Sequence, residues 1–277
     1  MPKQRTRFFL AISAMILVSF SGVAWVRAQQ NATAQAAVPE SAPIPSDQIP
    51  RRLQDAVNAA DRPAADKSLD AGRKPEQMLA FFGIQSGMKV ADLSAGGGYT
   101  TELLARAVGP TGTVYSQNPS FRPEFQQIGQ AWTERLKNPV LKNVIAVTKG
   151  FDADDVLPAP PGSLDVVIMN MNYHDLVLRN VDRAKVNAAV YQALKSGGAY
   201  AIVDHSAKDG SGIKDIELHR IDEQFLVNEV QQAGFTLAAR SSALRHPEDD
   251  RTWVASPRVA GERRGTTDRF MLIFRKP

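Results

Sequence analysis

The chain has 277 residues, of which 33 are lysine or arginine and 29 are aspartate or glutamate. Four of the basic residues lie within residues 1–28, which contain no acidic residue, so residues 29–277 carry 29 charges of each sign. This balance excludes the concentrated basic surface that nucleic-acid binding requires, and we expect no nucleic-acid partner. The chain has no cysteine, so a hydrophobic core must stabilise the fold without disulfides.

The N-terminus has the pattern of an export signal. Three basic residues precede an apolar run over residues 8–26, and small residues stand at the positions that a signal peptidase reads. The pattern predicts a signal peptide over residues 1–28 and a periplasmic or secreted protein. The alternative is an uncleaved inner-membrane anchor, because the run approaches the roughly 20 residues that span a bilayer. Residues 29–48, rich in Ala, Gln and Pro, are typical of a flexible spacer, and residues 49–277 are predicted to form one domain.

Two short helices are predicted ahead of the first strand, over residues 51–60 and 75–82. Helices at this position are suited to cover a ligand cleft. The charged residues between them, which include Asp66 and Arg73, are typical of a solvated loop.

Residues 89–118 predict a strand, a glycine turn, a helix and a second strand. The first strand is apolar and contains Asp92 near its end. Glycines at 96–98 allow positive φ and a close approach of the backbone to a ligand. The helix ends at Gly109-Pro110, and the second strand begins at residue 113. This βαβ unit leaves a gap of ligand size at its first turn.

The glycine spacing separates two classes of cofactor. A dinucleotide fingerprint, G-x-G-x-x-G, requires a third glycine where this chain has Thr101, which argues against the runner-up function of a nicotinamide oxidoreductase. The order Asp92, Ser94, Gly96, Gly98 instead resembles the first motif of class I S-adenosylmethionine-dependent methyltransferases, D-x-G-x-G-x-G, with serine replacing its first glycine.

Further segments resemble landmarks of that superfamily in the same order. They are the adenine loop at 150–158, the fourth strand within 163–176, the glycine turn and fifth strand at 193–205, and a terminal hairpin from 233–237 and 269–277. Within the superfamily, the chain resembles exported bacterial predicted methyltransferases, through His219-Arg220-Ile221-Asp222 and the terminal strand.

The predicted fold class is a doubly wound α/β fold. The resemblance implies a mostly parallel seven-stranded sheet with an antiparallel C-terminal strand, and the nearly continuous apolar strands suit a sheet covered on both faces. Helices are predicted over 121–136, 181–195 and 213–232. Residues 242–268 form a long insertion before the last strand, and such loops are often functional.

The resemblance implies S-adenosylmethionine as the cofactor. The cofactor contacts that it implies are Asp92, Ser94, Ala95, Gly96, Gly98, Asn118, Asp152 and Asn170. Asn118 departs from the family pattern, which usually places an acid there to bind both ribose hydroxyls. A neutral amide makes a weaker hydrogen bond than a carboxylate, so this position leaves a different ligand open.

Polar residues follow the fourth and fifth strands, at the edge where open α/β sheets bind ligands. We predict His174 as a general base for the acceptor, with His205 and Asp204 as further catalytic residues. The alternative is that these histidines only cap loops. His219 also falls near this edge, although its spacing to Asp222 and Glu223 on a predicted helix is equally that of an ordinary surface pair. No metal site is predicted because no H-x-H or HExxH spacing occurs, although His174, Asp175, Asp204 and His205 could converge on one cation.

The sequence therefore predicts an S-adenosylmethionine-dependent methyltransferase with a small-molecule acceptor, in contact with a membrane only through an uncleaved leader. The alternative is a non-enzymatic module that binds a nucleoside or metabolite in the same cleft. Asn118 favours this alternative, as does the export of a domain whose cofactor is made in the cytoplasm.

Overall fold

The computed structural model describes Met1 and residues 38–277. Apart from Met1, the predicted signal peptide lies outside the described residues, as does the predicted spacer up to residue 37. Among the helices that are described, none has the length and apolar character needed to cross a bilayer.

The folded unit spans 38–277. Its strands are β1 (Glu40–Ser41), β2 (Lys89–Leu93), β3 (Thr113–Asn118), β4 (Val144–Thr148), β5 (Leu164–Asn170), β6 (Leu194–His205), β7 (Thr236–Ser241) and β8 (Arg269–Arg275). Its α-helices are α1 (Arg51–Asn58), α2 (Ala64–Arg73), α3 (Pro75–Phe81), α4 (Tyr99–Val108), α5 (Gln126–Arg135), α6 (Tyr173–Leu178), α7 (Arg183–Ala193) and α8 (Glu223–Gln232).

The strands form one sheet in the order β1-β7-β8-β6-β5-β2-β3-β4. All pairs are parallel except those of β8, which runs antiparallel to both β6 and β7. The predicted fold class is confirmed, and the two-residue strand β1 adds an eighth strand beside β7. This strand lies within the predicted spacer, and Ile44 packs against the core, so the folded unit begins before the predicted domain start at 49.

Alternate residues of the central strands supply a hydrophobic core on each face of the sheet. Val90 and Ile168 belong to the core on one face, whereas Ala91 and Val167 belong to the core on the other. Because side chains alternate along a strand, near-continuous apolar runs are what a sheet with two covered faces requires. The two packed cores therefore fix the positions of the carboxyl ends of β2, β3, β5 and β6.

The charged segment that was predicted as a loop contains the helix α2. Asp66 is buried and pairs with Arg135 of α5 at 2.5 Å, and Arg62 is buried and pairs with Asp70 at 2.7 Å. The prediction of a solvated loop was wrong because each of these charged side chains has an oppositely charged partner in the folded protein. An ion that is paired in this way can be buried.

The predicted helix over 213–232 is interrupted. A 3₁₀ turn spans Ile216–Leu218, His219 follows in a left-handed conformation with φ of 54°, and α8 begins at Glu223. The break follows from capping, because the Asp222 carboxylate accepts hydrogen bonds from the N–H groups of Gln224 and Phe225. This break directs His219 to the sheet edge.

Candidate active site

A cavity of about 1140 Å³ opens at the carboxyl ends of the central strands. Eight of the eleven predicted site residues line it: Asp92, Ser94, Ala95, Gly96, Asn118, Asn170, His174 and His205. Gly98, Asp152 and Asp204 are not among the lining residues. Asp152 is exposed in the loop after β4, whereas Gly98 and Asp204 contact lining residues from behind. The glycine turn and the histidines thus share one cavity.

The glycine turn is held by side chains of β3. Ser94 has φ of 65°, a conformation that costs a non-glycine residue energy, and its N–H donates to Gln117 Oε1 at 3.0 Å. The Ala95 N–H donates to the Gln117 carbonyl at 3.0 Å. At Gly96, with φ of 57°, the space that a Cβ would take is open. This opening suits the close approach of a nucleoside ligand to backbone.

Asn118 lines the cavity, but its amide is already hydrogen-bonded to the turn. The Gly96 N–H donates to Asn118 Oδ1 at 2.7 Å, and Asn118 Nδ2 donates to the Gly96 carbonyl at 3.0 Å. Only a side chain with both a donor and an acceptor can make this pair. The departure from the family's acid is therefore matched by a local structural use of the amide.

Asp92 ties β2 to α4. The Thr101 hydroxyl donates to Asp92 Oδ2 at 2.6 Å, and Asp92 as a residue is 1% exposed. Burial raises the pKa of Asp92 to about 6, although the hydrogen bonds from Thr101 act in the opposite direction. The geometry favours the local role that fixes the start of the helix.

Gly98 is required by packing. It has φ of 85° and precedes α4, and a Cβ there would overlap the Trp132 ring of α5. The glycine therefore lets α5 close over the turn, where Phe121, Phe125 and Ile128 form a wall of the cavity.

His174 and Asp204 form a tightly bonded pair at the other end of the cavity. The buried Asp204 carboxylate accepts from His174 Nδ1 at 2.6 Å and from the His174 backbone N–H at 2.9 Å. It also accepts from the His205 backbone N–H at 2.7 Å. Burial alone would lower the pKa of His174, but the charge and hydrogen bond of Asp204, together with the charge of Asp175, outweigh burial and raise that pKa. Asp204 thus orients the ring and leaves Nε2 for another partner.

Asp175 and His219 supply those partners. His174 Nε2 lies 3.3 Å from His219 Nδ1 and 3.6 Å from Asp175 Oδ1, and His219 Nδ1 lies 3.5 Å from the same oxygen. All three residues line the cavity and form a group that could hold a metal ion. This is a different set from the four residues considered from sequence, because Asp204 faces Nδ1 of His174 and His205 is bonded elsewhere.

His205 packs beside His174, with ring centroids 5.7 Å apart. Its Nδ1 lies 2.8 Å from the Thr267 hydroxyl of the insertion between β7 and β8. Burial, together with the nearby His174, places the pKa of His205 well below its ordinary value, so the ring is neutral at pH 7. A neutral ring with one bonded nitrogen suits a supporting position in the wall.

Comparison with known proteins identifies the fold. Residues 91–202 match the family described as a methyltransferase domain. The fold is that of a class I S-adenosylmethionine-dependent methyltransferase. S-adenosylmethionine is the cofactor of methyltransferases with this fold, and the open glycine turn above the cavity is compatible with it.

One curated relative and two solved structures illustrate the likeness. The chain is 28% identical over 142 residues to demethylmenaquinone methyltransferase from Geobacillus sp. (strain WCH70), a match covering 51% of this chain and 55% of that enzyme. The chain therefore spans about half the length of this relative. A SAM-dependent methyltransferase from Aquifex aeolicus aligns with a TM-score of 0.54 at 20% identity, over 78% of this chain and 99% of its own. An arsenic(III) S-adenosylmethionine methyltransferase from Chlamydomonas reinhardtii aligns with a TM-score of 0.51 at 18% identity, over 82% of this chain and 73% of its own.

Two walls of the cavity were not predicted from the sequence. The helix α2 contributes Asp66, Leu69 and Arg73, and the insertion contributes 255–258 and Arg264. Arg258 stacks over the Phe125 ring at 4.2 Å and donates to the Glu124 carbonyl at 2.9 Å, which joins the insertion to the segment before α5. The sequence offered two signals for these walls, the length of the insertion and the position of the helices ahead of the first strand.

Proposed function

We propose that this protein transfers the methyl group of S-adenosylmethionine to a small-molecule acceptor held beside His174. The observation that carries the proposal is the shared cavity, with the glycine turn at one end and the His174 cluster at the other. Methyl transfer is an in-line displacement, so donor and acceptor must meet in one water-poor space. A cavity joining a nucleoside-binding turn to polar side chains satisfies this need.

The size and walls of the cavity favour a small acceptor. Its volume of about 1140 Å³ exceeds the upper end of ordinary ligand sites, which leaves room for a cofactor and one further small molecule. Phe121, Phe125 and Ile128 provide apolar surface, and α2 and the insertion enclose it. The balanced charge argues against nucleic acid. The printed name of the Geobacillus relative also supports a small-molecule acceptor.

In this proposal, His174 acts on the acceptor. Asp204 orients the ring through Nδ1, so the reactive atom is Nε2, which lies 3.3 Å from His219 Nδ1, whereas His205 supports the ring from the side. The glycine turn, with Asp92, Ser94, Ala95, Gly96, Gly98, Asn118 and Asn170, is assigned to the cofactor, either by contact or by shaping the turn. Asp152, which is exposed, is assigned to the cofactor only if its loop moves inward.

A non-enzymatic binding module remains the second candidate. Asn118 favours it, because its amide is engaged by Gly96 and the chain has no acid at this strand end to bind ribose hydroxyls. In that case the cavity would hold a nucleoside or metabolite without turnover.

Isothermal titration calorimetry of the protein with S-adenosylmethionine and S-adenosylhomocysteine tests the proposal. We expect both to bind with a Kd in the micromolar range. If neither binds below a millimolar concentration, the methyltransferase function is wrong. Saturable quenching or enhancement of NADH fluorescence would instead support the nicotinamide alternative.

We also propose that the protein is exported. The proposal rests on the basic and apolar leader, which the sequence carries at 1–28. Cell fractionation followed by N-terminal sequencing tests it. A mature N-terminus near residue 29 in the periplasm or medium supports cleavage, membrane-bound full-length chain supports an anchor, and cytoplasmic full-length chain contradicts export.

A further inference from the structure

Three side chains at the acceptor end of the cavity bring one ligand atom each to a common point. These atoms are His174 Nε2, Asp175 Oδ1 and His219 Nδ1, separated from one another by 3.3, 3.5 and 3.6 Å. His174 and Asp175 are consecutive residues in the first turn of α6, and His219 comes from the break before α8.

The separations match a tetrahedral metal site. Zn²⁺ binds imidazole nitrogen and carboxylate oxygen at about 2.0–2.1 Å, which places tetrahedral ligands about 3.3–3.4 Å apart. An octahedral site with the same bond lengths would bring adjacent ligands to about 3.0 Å. Two imidazoles also favour zinc or a similar transition metal over Mg²⁺ or Ca²⁺, which prefer oxygen ligands.

The ligand atoms are oriented by partners behind them. The carboxylate of Asp204 binds Nδ1 of His174, and a carboxylate on the distal nitrogen is the usual support for a metal-binding histidine. Arg179 lies 3.7 Å from Oδ2 of Asp175, which leaves Oδ1 directed to the two histidines. These partners hold the two residues in place without occupying the atoms that face the cluster.

The cluster has the composition of a catalytic rather than a structural site. The cluster offers three ligand atoms from the protein, and all three residues line the cavity. The fourth coordination position of a bound ion would therefore face the cavity. Structural zinc sites are usually closed by four protein ligands, whereas catalytic sites keep one position for water or substrate.

We propose that His174, Asp175 and His219 bind one divalent cation of the zinc class, whose open position takes the hydroxyl oxygen of the methyl acceptor. The second half of this statement rests on the proposed function. The cation replaces the general-base role that the sequence suggested for His174, because a coordinated Nε2 has no free lone pair to accept a proton.

The cation lowers the pKa of the bound acceptor hydroxyl, and its proton leaves to solvent. The oxygen then forms a bond to the methyl carbon, the bond between that carbon and sulfur breaks, and its electron pair stays on sulfur as neutral S-adenosylhomocysteine. The methylated oxygen is a weaker ligand than the anion, which aids product release.

Zinc binding by the purified protein tests the inference without reference to activity. We expect one equivalent of Zn²⁺ to bind the chelator-treated protein, and Co²⁺ in its place to show the intense visible absorption of a tetrahedral complex. His219→Ala and Asp175→Asn should each weaken binding at least 10-fold, and Asp204→Asn should weaken it about 10- to 100-fold as a supporting residue. His246→Ala is the matched control, since His246 lies outside the cavity lining, and it should bind zinc as the wild type does.

The outcomes separate this inference from the proposed function. Absence of stoichiometric binding, or binding unchanged in both His219→Ala and Asp175→Asn, overturns the metal site. Octahedral Co²⁺ spectra overturn the assigned geometry. Calorimetry with S-adenosylmethionine on the metal-free protein is independent, so a protein that binds the cofactor but not zinc loses only this inference. A protein that binds zinc but not the cofactor keeps the metal site and loses the acceptor.

Discussion

Asn118 and Gly96 form a reciprocal pair of hydrogen bonds across the cofactor turn. The side-chain oxygen accepts from the Gly96 N–H at 2.7 Å, and the side-chain nitrogen donates to the Gly96 carbonyl at 3.0 Å. Asn118 is 2% exposed, so water cannot replace either bond without a structural change. At this position the methyltransferase fold usually has an acid, which could make only one of the two bonds.

We predict that Asn118→Asp lowers the free energy of unfolding and does not improve cofactor binding. The carboxylate would face the Gly96 carbonyl with a second acceptor, and a buried unsatisfied or repelled polar group costs about 1–3 kcal/mol. Urea unfolding should show that loss, and calorimetry should show weaker binding of S-adenosylmethionine. Asn228→Asp, at an exposed helix position, is the control and should change stability by less than about 0.5 kcal/mol. Tighter cofactor binding by Asn118→Asp would contradict this prediction. It would show that contact with the ribose, and not the hydrogen bonds to Gly96, determines which side chain suits position 118.

Gly98→Ala should be far more destabilising than Gly83→Ala. Both glycines have positive φ, 85° and 66°, so both substitutions carry a conformational cost of about 1–2 kcal/mol. Only at Gly98 does the new methyl group overlap Trp132, whereas the space at Gly83 is open. We expect a loss of at least about 3 kcal/mol at Gly98, where overpacking adds to strain. Equal losses in urea unfolding, with unchanged Trp132 fluorescence, would contradict this account of the packing.

Asp92 should make stability decrease as the pH rises. Its pKa of about 6 in the folded protein lies above the ordinary value of 3.8, so the folded state binds the proton more tightly than the unfolded state. Stability is therefore lost from about pH 4 to pH 6 and stays lower above it, by up to about 3 kcal/mol. Asp92→Asn keeps an acceptor for Thr101 and removes the charge. Unfolding measured from about pH 4 to pH 8 should show the variant gaining over the wild type as pH rises, and parallel curves would refute the burial effect.

His174→Ala should separate turnover from cofactor binding. The side chain lies at the acceptor end of the cavity, so we expect the Kd for S-adenosylmethionine to change less than threefold. Turnover, measured as S-adenosylhomocysteine formed with an accepted substrate, should fall by about 10²- to 10⁴-fold, because the variant lacks the side chain that activates the acceptor, either as a base or as a ligand of the proposed cation. His246→Ala should leave both unchanged. Lost affinity with intact turnover per bound complex would place His174 in the cofactor site instead.

Local patterns were enough to predict the framework of this domain. The apolar strands, the glycine turn after Asp92 and the punctuation at Gly109-Pro110 each depend on residues close in sequence, and the structure has all of them. The edge that collects Asn170, His174 and His205 followed as well, because parallel strands end on the same side of a sheet.

The fold class, most of the element order and the strand ends that form the cavity could therefore be predicted from the residues alone. Three features could not: α2 is a helix with buried charges, Asn118 is hydrogen-bonded to Gly96, and His219 lies beside His174. Each of these features depends on contacts between residues that are far apart in the chain. Burial of the Asp66 charge is stable only because Arg135, which is distant in the sequence, pairs with it in the folded protein. Likewise, the break at 219–222 brings His219 to the cavity only because Ile221 pairs with Ser206 at the end of β6.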